Sequence, residues 1–551
     1  MIAHEARQPR RDWTAVWRLL ATVVGLALIC GSCVDRRPLQ TRLDPQVAAQ
    51  AQGAILFLID GMDQRTHRRL LAEGSLPCIQ RVFVRGGVEV DPSIVSVPAV
   101  TYANTVSLLT GCFPGAHGVL GNRWFDRREL RGRDYDSAAT FQLADQDYTA
   151  PTIFELLAER GGVNVHGHTH RGATRSYEHP LLSGLDWLIG DYTSVDRRTG
   201  RTIEAVARLA NEWQRWPALT LLYFPGVDQI GHERGADSGQ YAYALENADA
   251  QVGRVYDALD RAGVADALYF VLVTDHGQIA GDRTRIFDLA EWLRRARGLR
   301  VTEAPPERGE LKDLDAIVLV GANRMAKVYL RGEGGWEQPA SEQDVLRRVL
   351  GLSGVESWPI SAGAGLLAQP GVELVCVANG PGRALLYSHR GVALLERREG
   401  VEPLYRYSLS QGEDPLRYRG SPGMADFLDA WRPSRDWLAA TATHEHPDLV
   451  PQLAQALDSP RAGDALLFAE EGWQLRDGVI GGHGSCRAED MRVSFYFAGP
   501  GLPRGAVAGP GRLVDVLPTL LDLLGESGKL DGRTIDGVSL VPMLHGAAAR
   551  P

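Results

Sequence analysis

In the first half of the chain three stretches are almost wholly apolar: Ala54–Ile59, Leu219–Phe224 and Ala267–Val273. A run with no polar face is what a strand buried on both sides of a parallel sheet requires. Between these runs the spacing turns helical, near Gln64–Glu73, over 152–160, over 202–215 and over Tyr241–Ala262. Thr152 stands as a cap before the second of these, and Gly161-Gly162 closes it. Strand–helix alternation over 54–277 predicts a mostly parallel central sheet sandwiched by helices, an α/β fold.

The pattern changes after about residue 285. Ala316–Val320 and Ala326–Leu330 flank a short Gly/Asn turn. Val372–Val377, Ala384–Ser388 and Val392–Leu395 are separated by Asn379-Gly380-Pro381-Gly382 and His389-Arg390-Gly391. Short strands with tight glycine turns predict an antiparallel meander, read as an inserted α+β cap over 300–420. Alternation returns with Asp464–Ala469, Val493–Gly499 and a helix over Val514–Leu524. The catalytic core is therefore expected in two parts, 51–299 and 421–545.

The N-terminus has a different character. Arg7, Arg10, Arg11 and Arg18 precede an apolar run from Leu19 to Cys30, and Gly31-Ser32 leads to Cys33. Residues 1–33 read as a secretion signal, with Cys33 as a candidate lipid attachment point and 34–50 as a linker. The expected location is the periplasm or cell surface. The apolar run would reach roughly 24 Å, short of the ~30 Å hydrocarbon core, so membrane contact is expected through this signal or a lipid anchor alone. A net charge of −9 and a pI of about 5.9 argue against a broad nucleic-acid-binding surface. Four cysteines follow the signal, Cys78, Cys112, Cys376 and Cys486, and their spacing gives no disulfide connectivity.

Chemistry-bearing residues collect where apolar runs end. Asp60-Gly61 follows the first run; the bland reading is a turn-closing aspartate, the functional one a ligand at the carboxyl edge of a parallel sheet. Asp228 and His232 follow the second run and face one point if the segment is helical. Asp275-His276 follows the third, and His483 lies in a glycine turn after Asp464–Ala469. The stretch Val97–Gly111 reads as a loop turning into a helix. Thr101 stands at its N-terminus, and Ala103, Val106 and Leu109 form its apolar stripe. A hydroxyl there is an ordinary cap or, amid unpaired amides and the helix dipole, a nucleophile. Val163–His170 reads as a strand with His166, His168 and His170 on one face; a solvated strand end is preferred to a metal site. Together Asp60, Thr101, Asp228, His232, Asp275, His276 and His483 supply three carboxylates, three imidazoles and a hydroxyl. That set suits two Zn²⁺ ions, with Mn²⁺ or Fe as alternatives.

Ile59-Asp60-Gly61, Thr101-x-x-Asn104, Asp228-x-x-Gly231-His232, Thr274-Asp275-His276-Gly277 and Gly482-His483-Gly484 together resemble the alkaline phosphatase superfamily. The nearer resemblance is to its type I phosphodiesterase / nucleotide pyrophosphatase branch. It implies an alkaline-phosphatase-like fold. It also implies one zinc on Asp60, Asp275, His276 and Thr101, and another on Asp228, His232 and His483. His117 falls in a family motif and reads as structural. The sulfatase branch is disfavoured, because Cys112-Phe113-Pro114-Gly115-Ala116 is not a C-x-P-S-R nucleophile. The implied activity is hydrolysis of a small phosphate ester through a phosphothreonine, with Asn104 holding a phosphate oxygen or else making a helix hydrogen bond. Alternatives are a phosphomonoesterase or phosphonate hydrolase on the same metals, and a non-catalytic surface-anchored binding protein.

Overall fold

A computed structural model describes residues 41–136, 140–178, 190–280, 282–352, 358–360, 365–476 and 478–550. The chain divides into two units, Met1–Arg42 and Leu43–Pro551. The expected signal and Cys33 lie outside the described residues. Part of the expected linker belongs to the second unit. Pro45–Ala49 is a helix capped by Asp44, and Leu43 and Val47 are buried. Apolar side chains at 43, 47 and 51 explain the difference, since a free linker would leave them in water. Among the described residues no helix is long and apolar enough to cross a membrane.

The first sheet has ten strands. At its centre Gly53–Ile59 pairs in parallel with both Leu219–Phe224 and Leu268–Val273. Gly162–Val165 continues the parallel set beyond Leu219–Phe224. On the other side Arg492–Ala498 runs antiparallel to Leu268–Val273 and to Gly87–Ile94. Two reversals restore direction, so Gly87–Ile94 ends at the same sheet edge as the central strands. All seven residues of Gly53–Ile59 are buried, as the unbroken apolar run requires. The flanking helices include Gln64–Ala72, Ile203–Trp213 and Gly239–Arg261.

The second sheet has nine strands, antiparallel except at the Val301–Thr302 edge. Val372–Ala378, Arg383–Tyr387 and Gly391–Arg398 form the meander. Ala465–Ala469, expected in the returning core, instead lies between Val372–Ala378 and Met325–Leu330. A five-residue apolar strand carries no mark of which sheet it joins. Nor does 300–420 have a wholly separate core. Leu374, Leu386 and Leu466 of this sheet share one apolar cluster with Leu56, Val271 and Phe495 of the first. The Leu449–Ala456 helix is buried along its length in that cluster. Among the described residues, Cys78, Cys112, Cys376 and Cys486 are free thiols.

Candidate metal centre

The centre forms at the carboxyl edge of the first sheet, where parallel α/β sheets bind ligands. Asp60 follows Ile59 directly. Gly61 then turns with φ +64°, and a Cβ there would stand 2.8 Å from Asp228, so only glycine allows the two loops to meet. Asp228 and His232 lie on the Gly226–Arg234 helix, and one helical turn brings His232 Nε2 to 3.4 Å from Asp228 Oδ2. Asp275 and His276 leave Leu268–Val273. His483 comes from the far side, in a turn whose backbone bridges Asn323 beside the second sheet.

Thr101 opens the Thr101–Thr110 helix, preceded by extended Val100 and closed by Gly111 at φ +68°. The helix is buried on every side rather than along one stripe. Thr101 Oγ1 stands 3.2 Å from His276 Nε2. Asp60, Asp228, Asp275, His276 and His483 are buried to 3% exposure or less.

Their hydrogen bonds give all three imidazoles one orientation. Nδ1–H donates to a backbone carbonyl in each: Gly277 at 2.9 Å from His276, Ala99 at 2.8 Å from His483, and Gly481 at 3.2 Å from His232. Each Nε2 is thereby left to face the centre, the orientation that metal-binding histidines use, and a bound cation would take the place of any proton there. The carboxylates are anchored likewise by one oxygen. Tyr223 donates its hydroxyl to Asp60 Oδ2, the Gly61 amide to Asp275 Oδ1 at 3.3 Å, and Gln278 to Asp228 Oδ1 at 3.3 Å. Asp60 Oδ1 and Asp275 Oδ2 are buried and lack a well-directed hydrogen bond, with His276 Nε2 at 3.1 and 3.6 Å from them. Buried carboxylate oxygens in that state call for a cation. Two tight groups result, Asp60–Asp275–His276 and Asp228–His276–His483. His232, with 21% of its side chain exposed, stands at the rim.

The electrostatics of the bare side chains point the same way. Burial and then the charge on Asp60 push Asp228 and Asp275 well above the usual carboxylate range. Burial acts against ionisation of Asp60 too, but its bonds to His276 and Tyr223 outweigh it and hold this group down. Burial disfavours the His276 cation, yet Asp275, Asp60 and Asp228 push it up to about 10. Such mutual repulsion is what divalent cations would relieve.

Two readings of the sequence change. Asn104 is fully buried, and its carboxamide is consumed by the loop before Thr101. It accepts from the Ser96 amide at 2.7 Å and donates toward the carbonyls of Ser96 and Pro98 at 3.1 and 3.0 Å. It shapes the loop and does not face the centre. Asn122 lies at the N-terminus of the Thr101 helix, accepting from the Tyr102 amide at 3.3 Å and donating to Asp136 at 3.0 Å. The glycine turn ahead of it was its only signal. The strand expected over 163–170 stops at Val165, because His166 takes φ +60°. His168 then packs its ring 4.7 Å from Tyr223 and 5.4 Å from Tyr102 at the edge of the site, not on a solvated strand end. His117 is buried and bonded to Ser107 at 3.1 Å, a structural role. Arg171 pairs with Glu155, and Arg123 with Asp134 and Asp136.

Residues 54–351, more than half of the chain, match the family model for type I phosphodiesterase / nucleotide pyrophosphatase. The chain belongs to that family. Ectonucleotide pyrophosphatase/phosphodiesterase family member 1 of Rattus norvegicus is 24% identical over 271 residues, covering 48% of this chain and 28% of that protein. Venom phosphodiesterase of Macrovipera lebetinus is 26% identical over 212 residues, covering 36% of this chain and 23% of that one. The chain thus spans well under half the length of these relatives. Murine ectonucleotide pyrophosphatase/phosphodiesterase 5 superposes with a TM-score of 0.55 over 90% of this chain and 100% of its own, at 14% identity. This superposition establishes a shared fold.

Proposed function

We propose that the protein is a two-metal hydrolase of phosphoric esters, a phosphodiesterase or nucleotide pyrophosphatase with Thr101 as nucleophile. The observation that carries this is the set of three imidazoles, each tied at Nδ1 to a carbonyl, facing two incompletely bonded carboxylates beside Thr101. Asp60, Asp275 and His276, with Thr101, would hold one cation; Asp228, His232 and His483 would hold the other, zinc being preferred over manganese or iron. When bound, the cations lower the pKa of hydroxyl and water and offset charge on the phosphoryl group.

Thr101 Oγ1 attacks phosphorus in line. Its bond to phosphorus forms as the ester P–O bond breaks, leaving a phosphothreonine that water then hydrolyses. The free amides and dipole at the helix N-terminus favour the alkoxide and the phosphoryl oxygens. Asn122, beside the Tyr102 amide, is the side chain suited to hold a non-bridging oxygen. Asn104 keeps the preceding loop in shape. Tyr223 and Gln278 fix the ligand carboxylates. The basic then apolar N-terminus supports export, with Cys33 as the anchor. Parallel assays on bis-(p-nitrophenyl) phosphate and p-nitrophenyl phosphate, with metal analysis, test the reading. Hydrolysis of the diester is expected; a zinc-loaded sample inactive on both would overturn it.

A further inference from the structure

Lys327 is the third residue of Met325–Leu330, in the interior of the second sheet between Ala316–Gly321 and Ala465–Ala469. Alternation turns it, with Met325, toward the interior shared with the first sheet, and only 1% of it is exposed. Its ammonium donates to the Leu120 carbonyl at 2.9 Å. Among the described residues no carboxylate pairs with it. A methionine would fill this space without a buried charge, which a protein interior disfavours.

What the ammonium touches is the turn that delivers Asn122. Gly121 has φ +143°, and a Cβ there would lie 2.7 Å from Lys327 Nζ and 3.7 Å from Val100 Cγ2. Val100 leads into Thr101, and the next residue of the turn, Asn122, receives the Tyr102 amide. Lys327 Nζ and Val100 Cγ2 thus both border the space beside Gly121, next to the N-terminus of the Thr101 helix. Asp136, the charged group acting on Lys327, is held on the other side by Asn122 and Arg123.

We infer that Lys327 is a positioning residue whose amino group clamps the Leu120–Gly121–Asn122 turn, so that the Asn122 carboxamide stays at the N-terminus of the Thr101 helix. The clamping group comes from the second sheet, and the turn it holds serves the phosphate site. The catalytic consequence rests on the proposed hydrolase function; the positional one does not. Hydrogen exchange at the Tyr102 amide reads the position directly. It should quicken about tenfold or more in K327M, and an unchanged rate would overturn the inference even in an inactive protein. In a double-mutant cycle on a phosphodiester, K327M should lower kcat/KM on the order of tenfold to a hundredfold in the wild-type background. In the Asn122→Ala background it should cost less than about twofold, because the group it positions is gone. Equal losses in both backgrounds would assign Lys327 to general stability and refute the clamp. Should K327M fail to fold, Gly121→Ala displaces the same ammonium. It is expected to repeat both results, and wild-type exchange and turnover in that variant would refute the clamp as well. An inactive wild type strikes the hydrolase reading; an active wild type with an indifferent Lys327 strikes this inference alone.

Discussion

The first sheet brings its candidate site residues to one edge, on the turns and helices that follow its strands. The second sheet meets the same region through the turn at His483, bridged to Asn323, and through the buried Lys327, whose amino group bonds the Leu120 carbonyl next to the N-terminus of the Thr101 helix. In the first sheet Asp60 and Asp275 sit at the ends of neighbouring strands, and parallel register alone aligns them. In the second, His483 is held by a backbone bridge to Asn323 and by Arg324, whose amide donates to the His483 carbonyl at 3.2 Å. Arg324 is in turn fixed by a fully buried ion pair with Asp490 at 2.6 Å. One half of the centre follows from strand direction, whereas the other depends on long-range pairing.

That contrast sets the order of expected effects. Thr101→Ala removes the proposed nucleophile without touching either sheet; turnover should fall on the order of 10³-fold or more with metal content retained. His483→Ala removes the candidate ligand that is bridged to Asn323 beside the second sheet and should lower both bound metal and rate, by about 10²-fold or more in rate, read by metal analysis beside kinetics. His232→Ala, at the solvent rim, should cost less than His483→Ala in both measurements; the reverse order would mean that the exposed histidine dominates the second site. Tyr223→Phe keeps the ring and loses the hydroxyl on Asp60, for about a tenfold drop in metal affinity.

The smallest effect is on stability against pH. Burial brings Lys327 down to about 7 from 10.5. Between these values the unfolded chain holds a proton that the folded chain has lost. Folding therefore becomes more favourable as pH rises through that window, and the full cost of the buried charge is present below about pH 7. Denaturant titrations from pH 6 to 10 should show this slope in the wild type and a flatter one in K327M.

The legibility of the sequence follows the same division. Asp60, Asp228, His232, Asp275 and His276 stand beside the apolar runs that place them, so local pattern sufficed. Ala465–Ala469 did not reveal its sheet, because pairing with Val372–Ala378 and Met325–Leu330 depends on partners far away in the chain. Asn104 follows the second of its two sequence readings: helical spacing puts it near Thr101, but its amide turns back onto Ser96, Pro98 and, one helical turn away, the Val100 carbonyl. Asn122 carries no spacing signal, since a glycine turn and a lysine from the other sheet bring it to the helix. His168 was hidden by a strand that ends early at His166, where φ turns positive.

The inward-facing imidazoles and carboxylates are proposed to form a two-cation centre beside Thr101. Metal stoichiometry tests it most directly. After zinc loading and dialysis the wild type should retain about two ions per chain, and Asp60→Asn and His276→Ala should each lose metal. A wild type that retains none, or variants that retain as much as the wild type, would contradict the account.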